Sequence, residues 1–276
     1  MPVSKLKNLA ILILLLANLA LVLLVVPGRI ATQQESDALR DSLCSLYGQQ
    51  EITLSPEVIP DTVSLYVLEM KEMPEGSRQA AAVLLGDALQ TEADSTRYYS
   101  NYRSDLGTCS ISLDGEFSAV LTGQKERSDL EADCRRLLKA MGFSYDSKPS
   151  AQRIRAGVYQ VTATQQVLGV PVFSGDLVLT YSNNRLTAID GIFLSGTSSL
   201  TRVSDNACLS AADALVAFLS ARYDLGWVGS AVTGLQQGYI RSETAAAVRL
   251  TPVWQLTTDT GVFQINGMTG EVTTLS

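Results

Sequence analysis

The feature that most restricts this chain is an aliphatic run at residues 8–26, which includes the stretch ILILLLANLALVLLVV. Its 19 residues would extend roughly 28 Å as a helix, enough to cross the hydrocarbon core of a bilayer. Lys5 and Lys7 precede it, so the positive-inside rule predicts a cytoplasmic tail at residues 1–7 and an extracytoplasmic remainder. The alternative is a cleaved signal peptide, but Arg29 disfavours a cleavage site after the run. We therefore expect an uncleaved transmembrane helix and a single-pass protein of the cell membrane.

Asn18 is the one polar side chain in residues 11–26 of this run. On a helix, Leu14 and Leu21 share its face and Ala17 lies beside it, so a second helix could approach closely. A hydrogen bond from an amide across such a contact stabilises a helix pair by about 0.6–2 kcal/mol. The sequence therefore predicts that Leu14, Ala17, Asn18 and Leu21 contact a partner helix in the bilayer. The alternative is that the Asn18 amide bonds only to the backbone of its own helix.

The chain after this run is acidic, and the whole sequence contains no histidine. Lys5, Lys7 and Arg29 are three of the 21 basic residues, which leaves 18 basic residues against 28 acidic ones. Nucleic-acid phosphates would repel such a body, so we expect no nucleic-acid partner. The lack of histidine excludes Ser-His-Asp and Cys-His catalysis and removes the commonest transition-metal ligand. GxSxG and HExxH motifs are also missing, so we expect no enzyme, no cofactor and no metal.

The first half of the outer portion mixes helix and strand patterns. Residues 27–60 are predicted to form a juxtamembrane helix and a linker, because the helical spacing ends at the two prolines of PEVIP. Residues 62–70 alternate like a strand, and residues 77–89 are predicted to form a helix capped by Ser77. The helical spacing in the juxtamembrane segment is set by Leu39, Leu43, Leu46 and Tyr47.

The second half carries signs of a duplication. Ser128-Asp-Leu-Glu131 begins a helix with a capping-box pattern, and Ser210-Ala-Ala-Asp213 begins another 82 residues later. Each helix is followed by alternating strands, and the prolines in them, Pro171 and Pro252, lie 81 residues apart. Two landmarks with nearly the same offset indicate an internal repeat.

Each repeat is predicted to be one helix packed on an antiparallel meander, which gives an α+β fold class behind the N-terminal transmembrane helix. We assign the units to residues 126–200 and 201–276, and residues 61–125 to a degenerate first copy. The predicted core-facing stripes are Leu130, Cys134, Leu137, Leu138 and Met141 in one helix, and Ala212, Leu215, Val216, Leu219 and Tyr223 in the other.

Two groups of residues remain as candidate functional sites. Cys109 alternates with apolar strand residues and Cys134 lies on an apolar helix face, so both are predicted either as buried thiols or as a disulfide. Tyr98, Tyr99 and Tyr102, in the stretch RYYSNYR, could form a surface that binds a partner. The alternative is that these tyrosines pack half-buried in a strand.

Several stretches resemble one family. The basic start, the span with LANLALVLL, the stretch PEVIP and the terminal PVWQLTTDTGVFQINGMTGEV are similar to the YycI/YycH-type two-component regulatory proteins of Gram-positive bacteria. The strongest match is Pro252-Val253-Trp254 followed by Gly261 to Val272, which also resembles the PepSY module. The likeness covers the layout of the whole chain, whereas the specific motifs cover a small part of it.

The resemblance implies a single-pass membrane regulator that contacts a sensor histidine kinase, partly through transmembrane helices, and adjusts its signalling. A paralogous regulator could belong to the same complex. Residues 8–26 would then contact both lipid and the partner helix. The alternative function is a membrane-anchored, PepSY-like binding module that inhibits an extracellular peptidase or holds a peptide.

Overall fold

The computed structural model describes residues 37–70, 74–87, 90–92, 99–112, 114–195, 197–243 and 247–275. Within these ranges, four α-helices accompany fifteen strands that join in one mixed sheet. The helices are α1 (37–48), α2 (Pro74–Leu85), α3 (Leu130–Met141) and α4 (Ala211–Ala221). The strands are β1 (Thr53–Leu54), β2 (Leu68–Met70), β3 (Gln90–Glu92), β4 (Tyr99–Ser104), β5 (Gly107–Ser112), β6 (Glu116–Leu121), β7 (Ser150–Arg155), β8 (Val158–Val167), β9 (Val170–Ser182), β10 (Arg185–Ile192), β11 (Thr201–Arg202), β12 (Ala231–Glu243), β13 (Val248–Thr258), β14 (Val262–Asn266) and β15 (Val272–Leu275).

The helices pack into two separate hydrophobic cores. In the first lobe, α2 and α3 pack with strands β4, β5, β6, β8, β9 and β10, around residues such as Leu138 and Tyr181. In the second lobe, α1 and α4 pack with β12 to β14, around residues such as Phe218 and Trp254. A third cluster, which includes Tyr239, joins β2, β9, β12 and β13. The two lobes are therefore connected by a continuous sheet.

The predicted fold class is wrong. Strands dominate the described residues, and the hydrogen bonds cross the borders of the predicted helix-plus-meander units. Strand β2 pairs with β13, β6 pairs with β10, and β9 runs parallel to β12 at Val172 and Tyr239. A separate meander would leave the N–H and C=O groups of its edge strands unpaired, and joining the edges satisfies them. The predicted unit borders themselves stay predictions.

The predicted N-terminal transmembrane helix at residues 8–26 lies outside the described residues. Among the residues that are described, none of the helices has the length and apolar character needed to cross a membrane. The helix predicted beyond the span is confirmed at α1, in which Leu43 and Tyr47 are buried.

Two elements of the predicted first unit have different limits. Helix α2 occupies Pro74–Leu85 and stops at Gly86, whose φ of 79° an L-residue rarely adopts. Only Leu68–Met70 of the predicted strand 62–70 is a strand. In the residues before this strand, a side chain takes the place of a neighbouring strand as hydrogen-bond partner, because the Val63 N–H donates to Gln237 Oε1 at 2.9 Å.

Helices α3 and α4 begin with different caps. At α4 the predicted capping box is confirmed, because Ser210 accepts from the Asp213 N–H and Asp213 accepts from the Ser210 N–H. At α3 the cap is Asp129, not Ser128, and its carboxylate accepts from the Ala132 N–H at 2.9 Å. Both caps satisfy an N–H group that would otherwise lack a partner in the first turn.

Candidate binding surfaces on helices α3 and α4

Helix α4 buries one side in the core of the second lobe. Ala211, Ala214, Leu215 and Phe218 are buried there. The ring centroid of Phe218 lies 5.1 Å from that of Trp227 and 5.0 Å from that of Phe263. These contacts fix the rotation of the helix, and with it the set of residues that face outward.

The exposed side of α4 carries apolar side chains beside the polar Asp213 and Ser220. Val216 is 45 % exposed and Tyr223, in the turn after the helix, is 75 % exposed. Together with Ala212 and Leu219 they follow a spacing of three and four residues, which places them on one face. We call Ala212, Val216, Leu219 and Tyr223 the α4 surface. Large apolar side chains exposed on adjacent turns of one helix are a candidate for covering by another protein.

Arg222 holds the ring of Tyr223 in this surface. The Arg222 side chain is buried and donates from Nη2 to Gln50 Oε1 at 2.6 Å and to the Tyr223 hydroxyl at 2.5 Å. Its guanidinium carbon lies 4.3 Å from the centre of the Tyr223 ring. The cation–π contact and the two hydrogen bonds restrict an otherwise exposed aromatic side chain. A restricted ring loses less conformational entropy when a partner covers it.

A groove lies at the end of α3, with a volume of about 700 Å³. Its cationic side is formed by α3, and its other side by the loop after the helix and by β8. We call it the α3 groove; its lining residues are Arg135, Arg136, Lys139, Gly142, Phe143, Ser144, Tyr145 and Gln166.

A buried carboxylate anchors the cationic side of the α3 groove. Asp133 Oδ1 lies 2.6 Å from Arg136 Nη2 and 3.0 Å from Arg127 Nε. The hydroxyl of the fully buried Tyr181 donates to Asp133 Oδ2 at 3.2 Å. Burial, with a further contribution from the charge of Asp133, raises the pKa of Tyr181, so this hydroxyl stays protonated and remains a donor. The network fixes Arg136 at the border of the groove.

The tyrosine cluster does not form a common surface. Tyr98 lies outside the described residues, while Tyr99 is exposed on β4 and its hydroxyl lies 3.4 Å from Glu116 Oε2. Tyr102 is buried in the core of the first lobe, so its predicted place in a partner surface is wrong. Strand alternation explains this, because residues three apart point to opposite faces of a sheet.

The cysteines predicted as thiols or as a disulfide are free in the structure. Cys109 on β5 and Cys134 on α3 are both buried in the core of the first lobe. Burial raises the pKa of each of these thiols to about 12, and the charge of Asp133 contributes at Cys134. Cys44 and Cys208 are partly buried and also free.

The predicted partner-helix contact at Leu14, Ala17, Asn18 and Leu21 lies outside the described residues and stays a prediction. Within the described ranges, no group of three or more Cys, Asp or Glu side chains is placed to hold a metal ion.

The chain was compared with known proteins. No family model and no curated protein matches it. A crystal structure of an uncharacterized protein from Eubacterium rectale aligns with a TM-score of 0.50 at 10 % identity, and covers 79 % of this chain and 89 % of that one. At this identity the likeness concerns the fold alone.

A second solved structure shows a more distant similarity. The Bacillus megaterium YpeB C-terminal domain aligns at 12 % identity over 75 % of this chain and 99 % of that domain, with a TM-score of 0.36. A TM-score this low does not support a finer assignment. The resemblance to YycI and YycH proteins therefore stays a prediction from the sequence.

Proposed function

We propose that this chain is a non-enzymatic regulator that binds a membrane sensor histidine kinase through the α4 surface. The supporting observation is that Val216 and Tyr223 are exposed, with Leu219 between them, on a helix whose other side already fills the core. A partner that covered this face would remove apolar area from water, which contributes roughly 25 cal/mol for each Å². Asp213 and Ser220, the two polar residues of α4, are exposed next to Val216 and would border the contact.

The class of the partner comes from the resemblance to YycI and YycH proteins, in which a regulator contacts a sensor kinase. We further propose that the described body lies on the outer side of the cell membrane, because Lys5 and Lys7 precede the apolar run 8–26. Protease added to intact cells should then digest the body. Protection from the protease until the cells are lysed would contradict this location.

The binding surface can be tested by placing a charge on α4. The tagged full chain carrying Val216→Glu is expressed in its own host, crosslinked in native membranes and purified with whatever it has captured. Burying an unpaired carboxylate in a contact is unfavourable, so the recovery of a sensor histidine kinase, identified by mass spectrometry, should fall about tenfold. Tyr223→Ala should lower it as well, because the ring is lost.

Val120→Glu is the matched control, since Val120 is 57 % exposed but lies on β6 in the first lobe. It makes the same change in charge and size away from α4, and kinase recovery should stay at the wild-type level. Equal recovery with Val216→Glu would overturn the assignment of the α4 surface. Capture of an extracellular peptidase or of a second copy of the chain, with no kinase, would overturn the proposed partner.

A further inference from the structure

The α3 groove is cationic although the molecule as a whole is acidic. Lys139 forms no ion pair with any described residue, and the 3.9 Å contact of Arg135 Nη1 with Glu131 Oε2 is exposed to solvent. Exposed pairs of this length contribute little to stability and release their charges easily. Both cations are therefore available to a ligand.

The acid beneath the groove does not neutralise it. Asp133 is shared by Arg127 and Arg136, so one negative charge faces two positive charges. With Arg135 and Lys139 this produces a local excess of positive charge on a surface that is otherwise acidic. Such a concavity attracts anionic groups from solution.

A single β-bridge at the border of the groove leaves the backbone of Tyr145 open on one side. Tyr145 forms an antiparallel bridge with Gln165, and two backbone bonds flank it: Gln166 N–H to the Ser144 carbonyl at 2.8 Å and Asp146 N–H to the Thr164 carbonyl at 3.1 Å. In this arrangement the N–H and C=O of Tyr145 itself point away from β8, toward the edge. An added extended chain could accept and donate there, as in β-strand addition.

The spacing of the cations matches an extended chain. Arg135 and Lys139 are four residues apart on α3, which separates their Cβ atoms by about 6 Å. Alternate residues of a strand face the same side and lie about 6.7 Å apart. Acidic side chains at alternate positions of a strand could therefore reach Arg135 and Lys139 at the same time.

The groove continues into a second depression that is lined by both polar and apolar side chains. This depression of about 200 Å³ shares Gly142, Ser144 and Gln166 with the α3 groove. Its further lining is formed by Gln165, Val167, Leu168, Thr197 and Leu200. One end of the site is thus cationic and the other end offers apolar contacts without cations, which gives a bound chain a preferred direction.

We propose that the α3 groove binds an extended peptide segment with acidic residues at alternate positions followed by apolar residues. The carboxylates pair with Arg135 and Lys139, the backbone pairs with Tyr145, and the apolar residues contact Val167, Leu168 and Leu200. The site shares no residue with the α4 surface and does not depend on it.

The test uses the full chain and a fluorescein-labelled peptide in which aspartate alternates with valine before a leucine pair. Fluorescence anisotropy at low salt should show saturable binding, and a peptide with asparagine in place of aspartate should bind about tenfold more weakly. The double variant Arg135→Glu and Lys139→Glu should lose about as much affinity for the aspartate peptide. Leu168→Ser should weaken binding of both peptides.

Lys125→Glu is the matched control, because Lys125 is exposed and does not line the groove. It should leave the affinity within a factor of about two, because it changes only the long-range field. Equal binding of the two peptides, or equal affinity of the double variant, would overturn the proposal. Polyphosphate could also bind the wild type as tightly as the aspartate peptide, with an affinity that Leu168→Ser does not change. This result would overturn the peptide as the ligand and indicate another anionic polymer. Thermal melts of each variant establish that the fold is retained.

Discussion

Helices α3 and α4 are capped and buried in similar ways, but their exposed side chains differ in chemistry. Each begins with an acidic or hydroxyl cap, and each buries one side in the core of its own lobe. Outward, α3 carries Arg135, Arg136 and Lys139, whereas α4 carries Val216 and Tyr223. The inner face of each helix is set by packing, and the outer face is left free to define what binds there.

The largest expected effects on the free energy of unfolding come from the buried sides of the two helices, which play the same structural part in each lobe. Phe218→Ala in α4 and Leu138→Ala in α3 remove fully buried side chains, and each should lower the free energy of unfolding by about 3–4 kcal/mol. The outward substitutions Val216→Ala and Arg135→Ala should cost less than about 0.5 kcal/mol. Denaturant unfolding of the four variants measures this. A large loss of unfolding free energy from Val216→Ala would place that residue in the core, in contradiction to its role as an exposed residue.

A smaller difference in stability is expected between variants of the two acidic residues near the starts of the helices. Asp133→Asn removes the buried charge shared by Arg127 and Arg136, and should destabilise the protein by about 3 kcal/mol. Asp213→Asn affects only the exposed capping box of α4 and should cost less than about 1 kcal/mol. The unfolding midpoints of the two variants decide this. Equal losses would show that the Asp133 network is no stronger than a cap.

The sequence patterns of the two helices show which parts of the fold could be predicted from the sequence. In α3 the apolar residues recur at spacings of three and four between polar ones. Cys134, Leu137, Leu138 and Met141 are buried as predicted. In α4 nearly every residue is apolar, so the periodicity could not fix the rotation of the helix. The predicted core stripe included both Leu215 and Val216, although the structure buries only Leu215. Adjacent helix residues are 100° apart and cannot share one face.

The pairings between distant segments could not be predicted, and they determine both the sheet and the α3 groove. Alternation of apolar residues indicates that β9, β12 and β13 are strands, but it carries no information about which edges meet. The groove depends on the bridge between Tyr145 and Gln165, which joins the loop after α3 to β8. The cations of α3 were visible in the sequence, and their place beside an open strand edge was not.

The smallest expected effect concerns the reactivity of the thiols, which differs between the helices of the two lobes. Cys134 on α3 is fully buried and its pKa is raised to about 12, so at pH 8 only about one molecule in ten thousand carries the thiolate. Cys44 on α1 is only partly buried, and Cys208 likewise. With iodoacetamide under native conditions, Cys44 and Cys208 should therefore be alkylated well before Cys134 and Cys109, as peptide mapping would show.

Unfolding the protein without a reductant completes this test. If all four cysteines are free, guanidinium should expose Cys109 and Cys134 to alkylation as fast as the other two, because their low reactivity comes from their surroundings in the folded protein. If labelling of these two required a reductant, they would form a disulfide, as an oxidising compartment permits. That bond would tie α3 to β5, and α3 would then differ from α4 in its inner face as well as its outer one.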